Sequence, residues 1–321
     1  MRIVLCFPVE SRHIEQIKRV APQAEVVNAG DATIADEIMT ADVFCGHNRV
    51  PVPWHAVPAQ GRLRWIQSSA AGLDHFLVPE VIESPIVVTS GSGLFANQVA
   101  EQTFALLLGL LRGIPEFYRA QQRKEFVRKP TGDLHGKTVG IVGFGGNGRR
   151  LAEILAAFGV RVLATDMFPF NKPDYVEALW HHDRLHDLLL QSQILILCVP
   201  LNDNTRGMIG AEQLSQLPPG AILVNVARGP VVVEADLVQA LESGHLGGAG
   251  LDVTEIEPLP VTSRLWDHPR VLITPHVGAQ SAYRIDTVTD FFCKNLQRFL
   301  TDQPLKNLVN KRLGFPVRFE I

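Results

Sequence analysis

The chain has 321 residues, 46% hydrophobic and 20% charged, with a formal net charge of −3. That length accommodates two domains with a core each, and the near-neutral balance gives no reason to expect nucleic acid or an anionic membrane as a partner. Cys6, Cys45, Cys198 and Cys293 are scattered without a Cys-x-x-Cys pair, and Met1 to Glu10 shows no small-residue cleavage site, so no secretory leader and reduced core thiols in a cytoplasmic protein are expected.

In chain order, short apolar runs at residues 2–6, 24–27, 43–45, 64–67 and 86–89 read as strands of a smaller α/β domain. After the third, the loop Gly46-His47-Asn48-Arg49-Val50-Pro51, with Trp54 and His55 beyond it, offers Arg49 either to a second anionic group of a ligand or to solvent. After the fourth, Ser68-Ser69-Ala70-Ala71-Gly72 has side chains small enough for backbone N–H groups at Ala71 and Gly72 to meet a carboxylate, or is an ordinary turn. A helix is expected over 97–112, whose apolar run ends at Arg112, well short of a membrane span. Arg123, Lys124, Arg128 and Lys129 then read as a solvated helix face or loop.

The segment from Thr138 to Arg149 carries the most information. An apolar strand runs into Gly143-Phe-Gly145-Gly146-Asn147-Gly148, a Gly-x-Gly-x-x-Gly turn, and then into a helix with Leu151, Ile154, Leu155 and Phe158 on one face. The glycines permit the tight turn, the approach of a pyrophosphate and close helix–strand packing, and the helix N-terminus offers its N–H groups to the anion. Gly159 ends the helix, residues 160–165 form the next strand, and Asp166 at its tip is placed to accept hydrogen bonds from the adenosine ribose of NAD. No Arg follows in Met167-Phe168-Pro169-Phe170, so NADP is expected to be disfavoured. His181, His182 and His186 read as a polar helix surface, without the spacing of a metal site.

Buried parallel strands follow at 193–199, 221–226, 248–253 and 271–274, then a helix over 281–300 and a tail from 301 returning to the first domain. The expected architecture is α/β: a Rossmann-type doubly wound parallel sheet at 100–281 for the cofactor, and a discontinuous flavodoxin-like α/β substrate domain at 1–99 and 282–321, with a ligand cleft at their junction. Arg228, Asp252, Glu257 and His276 all fall at or beyond carboxyl ends of strands, the edge where such sheets bind ligands. Together they suit hydride transfer at a carbon bearing oxygen. His276 serves as acid or base, Glu257 favours the charged imidazole and fixes its tautomer, and Arg228 grips a substrate carboxylate and polarises the carbonyl.

Motifs in order along nearly the whole chain resemble the D-isomer-specific 2-hydroxyacid dehydrogenases: Leu134 to Gly145, Val199-Pro200-Leu201 through Thr205, Asn225 to Val233, Leu251-Asp252-Val253 through Pro260, and Thr274 to Gly278. The resemblance implies catalytic roles for Arg228, Glu257 and His276. It implies cofactor contacts at Gly143, Gly145, Gly146, Asn147, Gly148, Asp166, Val199, Pro200, Thr205, Val226, Ala227, Arg228, Asp252, His276 and Gly278, and substrate contacts at Ala71, Gly72, Arg228 and His276. It also implies NAD as cofactor, a small anionic 2-oxo or D-2-hydroxy acid as substrate, and a homodimer built mainly through the cofactor domain. Asn147 stands where the family usually has an apolar residue and Phe126 where a Trp is common; Glu257 argues against formate oxidation, whose enzymes usually lack that acid. A binding protein that senses NADH, like the related corepressors, is the alternative.

Overall fold

The computed structural model describes residues 1–48 and 50–317; Arg49, and with it the reading of a second anionic subsite, lies outside the described residues. The chain divides into two compact units, Met1–Leu94 with Ser281–Ile321, and Phe95–Gln280.

In the first unit, β1 (Arg2–Cys6), β2 (Glu25–Asn28), β3 (Val43–Gly46), β4 (Trp65–Ser68) and β5 (Val87–Thr89) form a parallel sheet in the order β2-β1-β3-β4-β5. This is the flavodoxin-like order. β1 and β3 are almost wholly buried, which is why they run apolar without alternation, and β4 is wholly buried although it carries Gln67 and Ser68. The Arg284–Leu300 helix is tied to β4 from within the core: Asn295 donates to Gln67 Oε1 (3.0 Å), Thr89 Oγ1 donates to the same oxygen (2.8 Å), and the Trp65 indole donates to Thr89 (2.8 Å). Each of these side chains is buried, so losing one partner would strand another without water.

The second unit holds β6 (Thr138–Val142), β7 (Arg161–Asp166), β8 (Ala178–His181), β9 (Ile194–Leu197), β10 (Ala221–Asn225), β11 (Leu246–Leu251) and β12 (Val271–Ile273). They pair in parallel in the order β12-β11-β10-β9-β6-β7-β8, a doubly wound sheet that reverses direction between β6 and β9. The Ala96–Leu111 helix buries Ala100, Phe104, Leu106, Leu107 and Leu111 in the same core as Leu151 and Leu155 of the Gly146–Ala156 helix. Its apolar character on most sides is therefore tertiary burial, and no helix among the described residues is long and apolar enough to cross a membrane.

Three local expectations are corrected. His181 ends β8, an edge strand missing from the sequence reading, while His182 begins a 3-10 turn and His186 lies in a five-residue helix. β8 is only half-buried, so it lacks the apolar run that marks the central strands. Phe158 falls beyond the Gly146–Ala156 helix, which stops before the left-handed Gly159. Cys198 is only partly buried by surface area, though the other three cysteines are buried; all four thiols are free, and burial pushes Cys6 and Cys198 up to about 12 and Cys293 to about 11.

Candidate active site

The glycine loop joins β6 to its helix at the point where the sheet reverses. Gly143 has φ +95°, and a Cβ there would come 2.8 Å from the Cys198 carbonyl, so the loop lies directly against the end of β9 that leads to Val199 and Pro200. At Gly148 a Cβ would come 2.2 Å from the Gly143 carbonyl, which brings the helix down onto the loop. Beside Gly145 nothing lies within 4 Å of an added Cβ, and no side chain caps the helix that begins with Gly146, Asn147 and Gly148. This open, uncapped N-terminus fits the pyrophosphate of a dinucleotide.

Asp166, at the tip of β7, accepts the N–H of Phe144 (2.6 Å) on one oxygen and that of Phe168 (2.9 Å) on the other. It therefore staples the glycine loop to the loop after β7 while each oxygen keeps acceptor capacity for ribose hydroxyls. Thr205 is placed differently from its neighbours in the predicted set. Its hydroxyl donates to the Pro200 carbonyl (2.6 Å) and accepts from Asn202 N (2.9 Å), which shapes the Val199–Pro200 loop from inside.

At the other end of the sheet, β10 leads to Arg228 and β11 to Asp252 and Glu257. The buried Asn225 side chain accepts from Ala227 N (3.0 Å) and donates to the Arg228 carbonyl (3.1 Å), closing a tight turn that carries Val226, Ala227 and Arg228. Gly229 then runs against the Thr254 carbonyl, where a Cβ would come to 1.7 Å. Only glycine allows that approach, and it sets the Arg228 turn beside the loop bearing Glu257.

Asp252 is 3% exposed and its carboxylate takes three donors: Thr274 Oγ1 (2.7 Å), Val277 N (3.0 Å) and Gly278 N (2.8 Å). Its carbonyl accepts His276 N (2.8 Å). The whole turn holding His276 is thus built on one buried acid. His276 itself has φ +54°, a conformation that costs a non-glycine residue about 1–2 kcal/mol and that these four bonds offset.

His276 Nδ1–H donates to Glu257 Oε2 (2.9 Å), and Glu257 Oε1 accepts Thr254 N (3.2 Å). This tautomer leaves Nε2 without a partner among the described residues, on a side chain that is 44% exposed. Burial opposes ionisation of Glu257, but the His276 hydrogen bond and charge, the Thr254 N–H and the Arg228 charge outweigh it and hold the carboxyl below its ordinary range. His276 therefore contacts Glu257, and Arg228 lies close enough for its charge to act on the same carboxylate. Asn225, Gly229, Thr254 and Thr274, which position them, went unread in the sequence because their roles lie in contacts between distant segments.

In the first unit, Ala71 and Gly72 lie past the carboxyl end of β4. Ser69 N is bound by Gly46 O and Ala70 N by Ser68 Oγ, whereas the N–H groups of Ala71 and Gly72 have no acceptor among the described residues. Arg284 donates to Ser69 O (3.3 Å) at the start of this stretch, and Ala71 is exposed.

Known proteins resemble this chain in sequence and in fold. Residues 104–278 match the family model described as D-isomer specific 2-hydroxyacid dehydrogenase, NAD binding domain. The chain is 31% identical over 289 residues to D-3-phosphoglycerate dehydrogenase of Bacillus subtilis, covering 89% of this chain but only 54% of that enzyme, so it spans about half that relative's length. It is 34% identical over 262 residues to glyoxylate reductase of Thermococcus gammatolerans, covering 78% of each. Among solved structures, a D-isomer specific 2-hydroxyacid dehydrogenase from Xanthobacter autotrophicus, in complex with NADPH and MES, superposes with a TM-score of 0.83 at 30% identity, covering 98% of this chain and 99% of the other.

Proposed function

The chain belongs to the D-isomer-specific 2-hydroxyacid dehydrogenases, and from that premise we propose that it interconverts a small 2-oxo acid and its D-2-hydroxy acid with NAD(H) preferred over NADP(H). Glyoxylate, hydroxypyruvate and related 2-oxo acids are the substrates of choice. The observation that carries this reading is the His276–Glu257 pair, with Nε2 open and the Arg228 charge beside it.

The residues divide the work by chemistry. Arg228 grips the substrate carboxylate and draws electron density from the adjacent carbonyl. Ala71 and Gly72, in the first unit, offer backbone N–H donors of the kind that meet a carboxylate. The nicotinamide cofactor, when bound, supplies or accepts the hydride. His276 Nε2 gives its proton to the carbonyl oxygen during reduction and takes one from the hydroxyl during oxidation. Glu257 holds Nδ1–H throughout, so the tautomer is fixed and the open nitrogen stays aimed. Gly143, Gly145, Gly146, Asn147, Gly148, Val199, Pro200, Thr205, Val226, Ala227, Asp252 and Gly278 form or brace the cofactor's surface. Asp166 at the ribose disfavours a 2′-phosphate by like charge, and so supports NAD over NADP.

A homodimer formed through the larger unit is supported by its exposed apolar side chains Ile114, Tyr118, Val127 and Phe126, the last 91% exposed. A cytoplasmic location is supported by four free thiols. The deciding experiment is NADH oxidation with a panel of glyoxylate, hydroxypyruvate, pyruvate and bulkier 2-oxo acids, repeated with NADPH. Turnover of at least one acid, faster with NADH, is expected. Tight NADH binding without turnover of any acid would overturn the catalytic assignment in favour of NADH sensing.

A further inference from the structure

The sequence after Asp166 contains no arginine to meet a 2′-phosphate, but the fold delivers one from elsewhere. Arg149, the first residue past the glycine turn, sends its guanidinium across to the loop after β7. Nη1 donates to Asn171 O (2.8 Å) and Nη2 to Phe170 O (2.5 Å). The same group lies 4.8 Å from the ring centre of Phe144 and 5.2 Å from that of Phe170. Phe144 is the residue whose N–H binds Asp166, so the acid and the cation meet at one point of the glycine loop.

Nearby cations are committed to other partners. Lys172 Nζ donates to Val176 O (2.7 Å), and Arg150 turns to Asn97 (2.7 Å) and Glu153 (2.7 Å). Burial makes the Arg149 guanidinium easier to deprotonate than usual, while the charges of Asp166 and Tyr175 act the other way. That opposition records Asp166 within electrostatic reach. A guanidinium has five N–H donors, and two carbonyls leave three.

We propose that Arg149 is a specificity-determining residue of the adenosine end, which offers a 2′-phosphate the cation that Asp166 alone would deny it, so that discrimination against NADP(H) is a balance between the two side chains. This rests on the placement of the adenosine ribose at Asp166. Its physical content is a competition. Asp166 accepts ribose hydroxyls and repels a phosphate, and Arg149, fixed by two aromatic faces and two carbonyls, attracts that phosphate at little further entropic cost.

The test separates this from catalysis by using nucleotides that lack nicotinamide. Isothermal titration of the full-length protein with 5′-AMP and 2′,5′-ADP measures the contribution of the 2′-phosphate directly. Arg149→Gln is expected to weaken 2′,5′-ADP about tenfold more than 5′-AMP, the size of one partly screened ion pair. Arg149→Lys, which keeps the charge, is expected to retain most of that difference. Asp166→Ala is expected to tighten 2′,5′-ADP about tenfold, and the double variant to lose the gain. Equal weakening of both nucleotides by Arg149→Gln, or an undiminished gain in the double variant, overturns the role of Arg149 alone. Failure of the unaltered protein to bind either nucleotide overturns the adenosine placement and this proposal with it.

Discussion

Two aspartates close the carboxyl edge of the same sheet, and they are used in opposite ways. Asp252, past β11, is buried and spends three hydrogen bonds on the turn that carries His276. Asp166, at the end of β7, is half-buried, takes one backbone N–H on each oxygen and has a cation in its field. A buried carboxylate saturated with donors has one low-energy arrangement, which suits a group that must present an imidazole in a costly backbone conformation. A carboxylate at the rim, with acceptor capacity left over, can be answered by a neighbouring charge. The end that carries His276 is therefore rigid by construction, and the end that carries Asp166 is adjustable.

The sharpest test of the rigid end is His276→Ala, expected to lower kcat by about 10²–10⁴-fold while NADH binding, followed by fluorescence, survives. Comparable loss of NADH affinity would mean that the turn, not the imidazole, had been removed. Asp252→Ala is expected next: about 2–4 kcal/mol of stability lost in denaturant unfolding, because the Val277 and Gly278 N–H groups lose their acceptor, together with a fall in kcat as His276 leaves its left-handed conformation. A stable, active Asp252→Ala protein would break the contrast between the two acids.

At the adjustable end, Asp166→Ala is expected to leave kcat with NADH within a few-fold and to raise the NADPH-to-NADH ratio of kcat/KM about tenfold, the order of one charge interaction. An unchanged ratio would remove Asp166 from the ribose. The smallest effect is on pH. The folded carboxyl of Glu257 is held below its ordinary value of about 4.3, so its contribution to stability is full above that pH and is lost as pH falls through the lower, folded value. The melting-temperature gap between the unaltered protein and Glu257→Gln is expected to be constant near neutrality and to close only in more acidic buffer. A gap that closed between about pH 5 and 7 would contradict the lowered carboxyl.

The two ends also differ in how far their sequences could be read. Arg228, Glu257 and His276 were each visible as a residue after a strand, because buried parallel strands announce themselves as continuous apolar runs and their carboxyl ends follow by counting. The glycine loop was visible for the same reason, each glycine having a steric cause. Asp166 is legible as an acid at the tip of a strand, whereas the course of Arg149 is not, since nothing in the spacing of Gly148-Arg149 says which way a long side chain will turn. β8 escaped because an edge strand in contact with water has no obligation to be apolar.

What the sequence determined by itself was the order of elements, the dinucleotide turn and the set of groups able to move a proton, all of which depend on residue type and local periodicity. Tertiary structure alone decided that Gly229 would press against Thr254, that Asp252 would gather the His276 turn, and that Arg149 would cross between two rings to meet the field of Asp166. Those outcomes depend on the packing of segments far apart in the chain. Close packing allows few arrangements of such segments, and no local pattern of residues encodes which one is adopted.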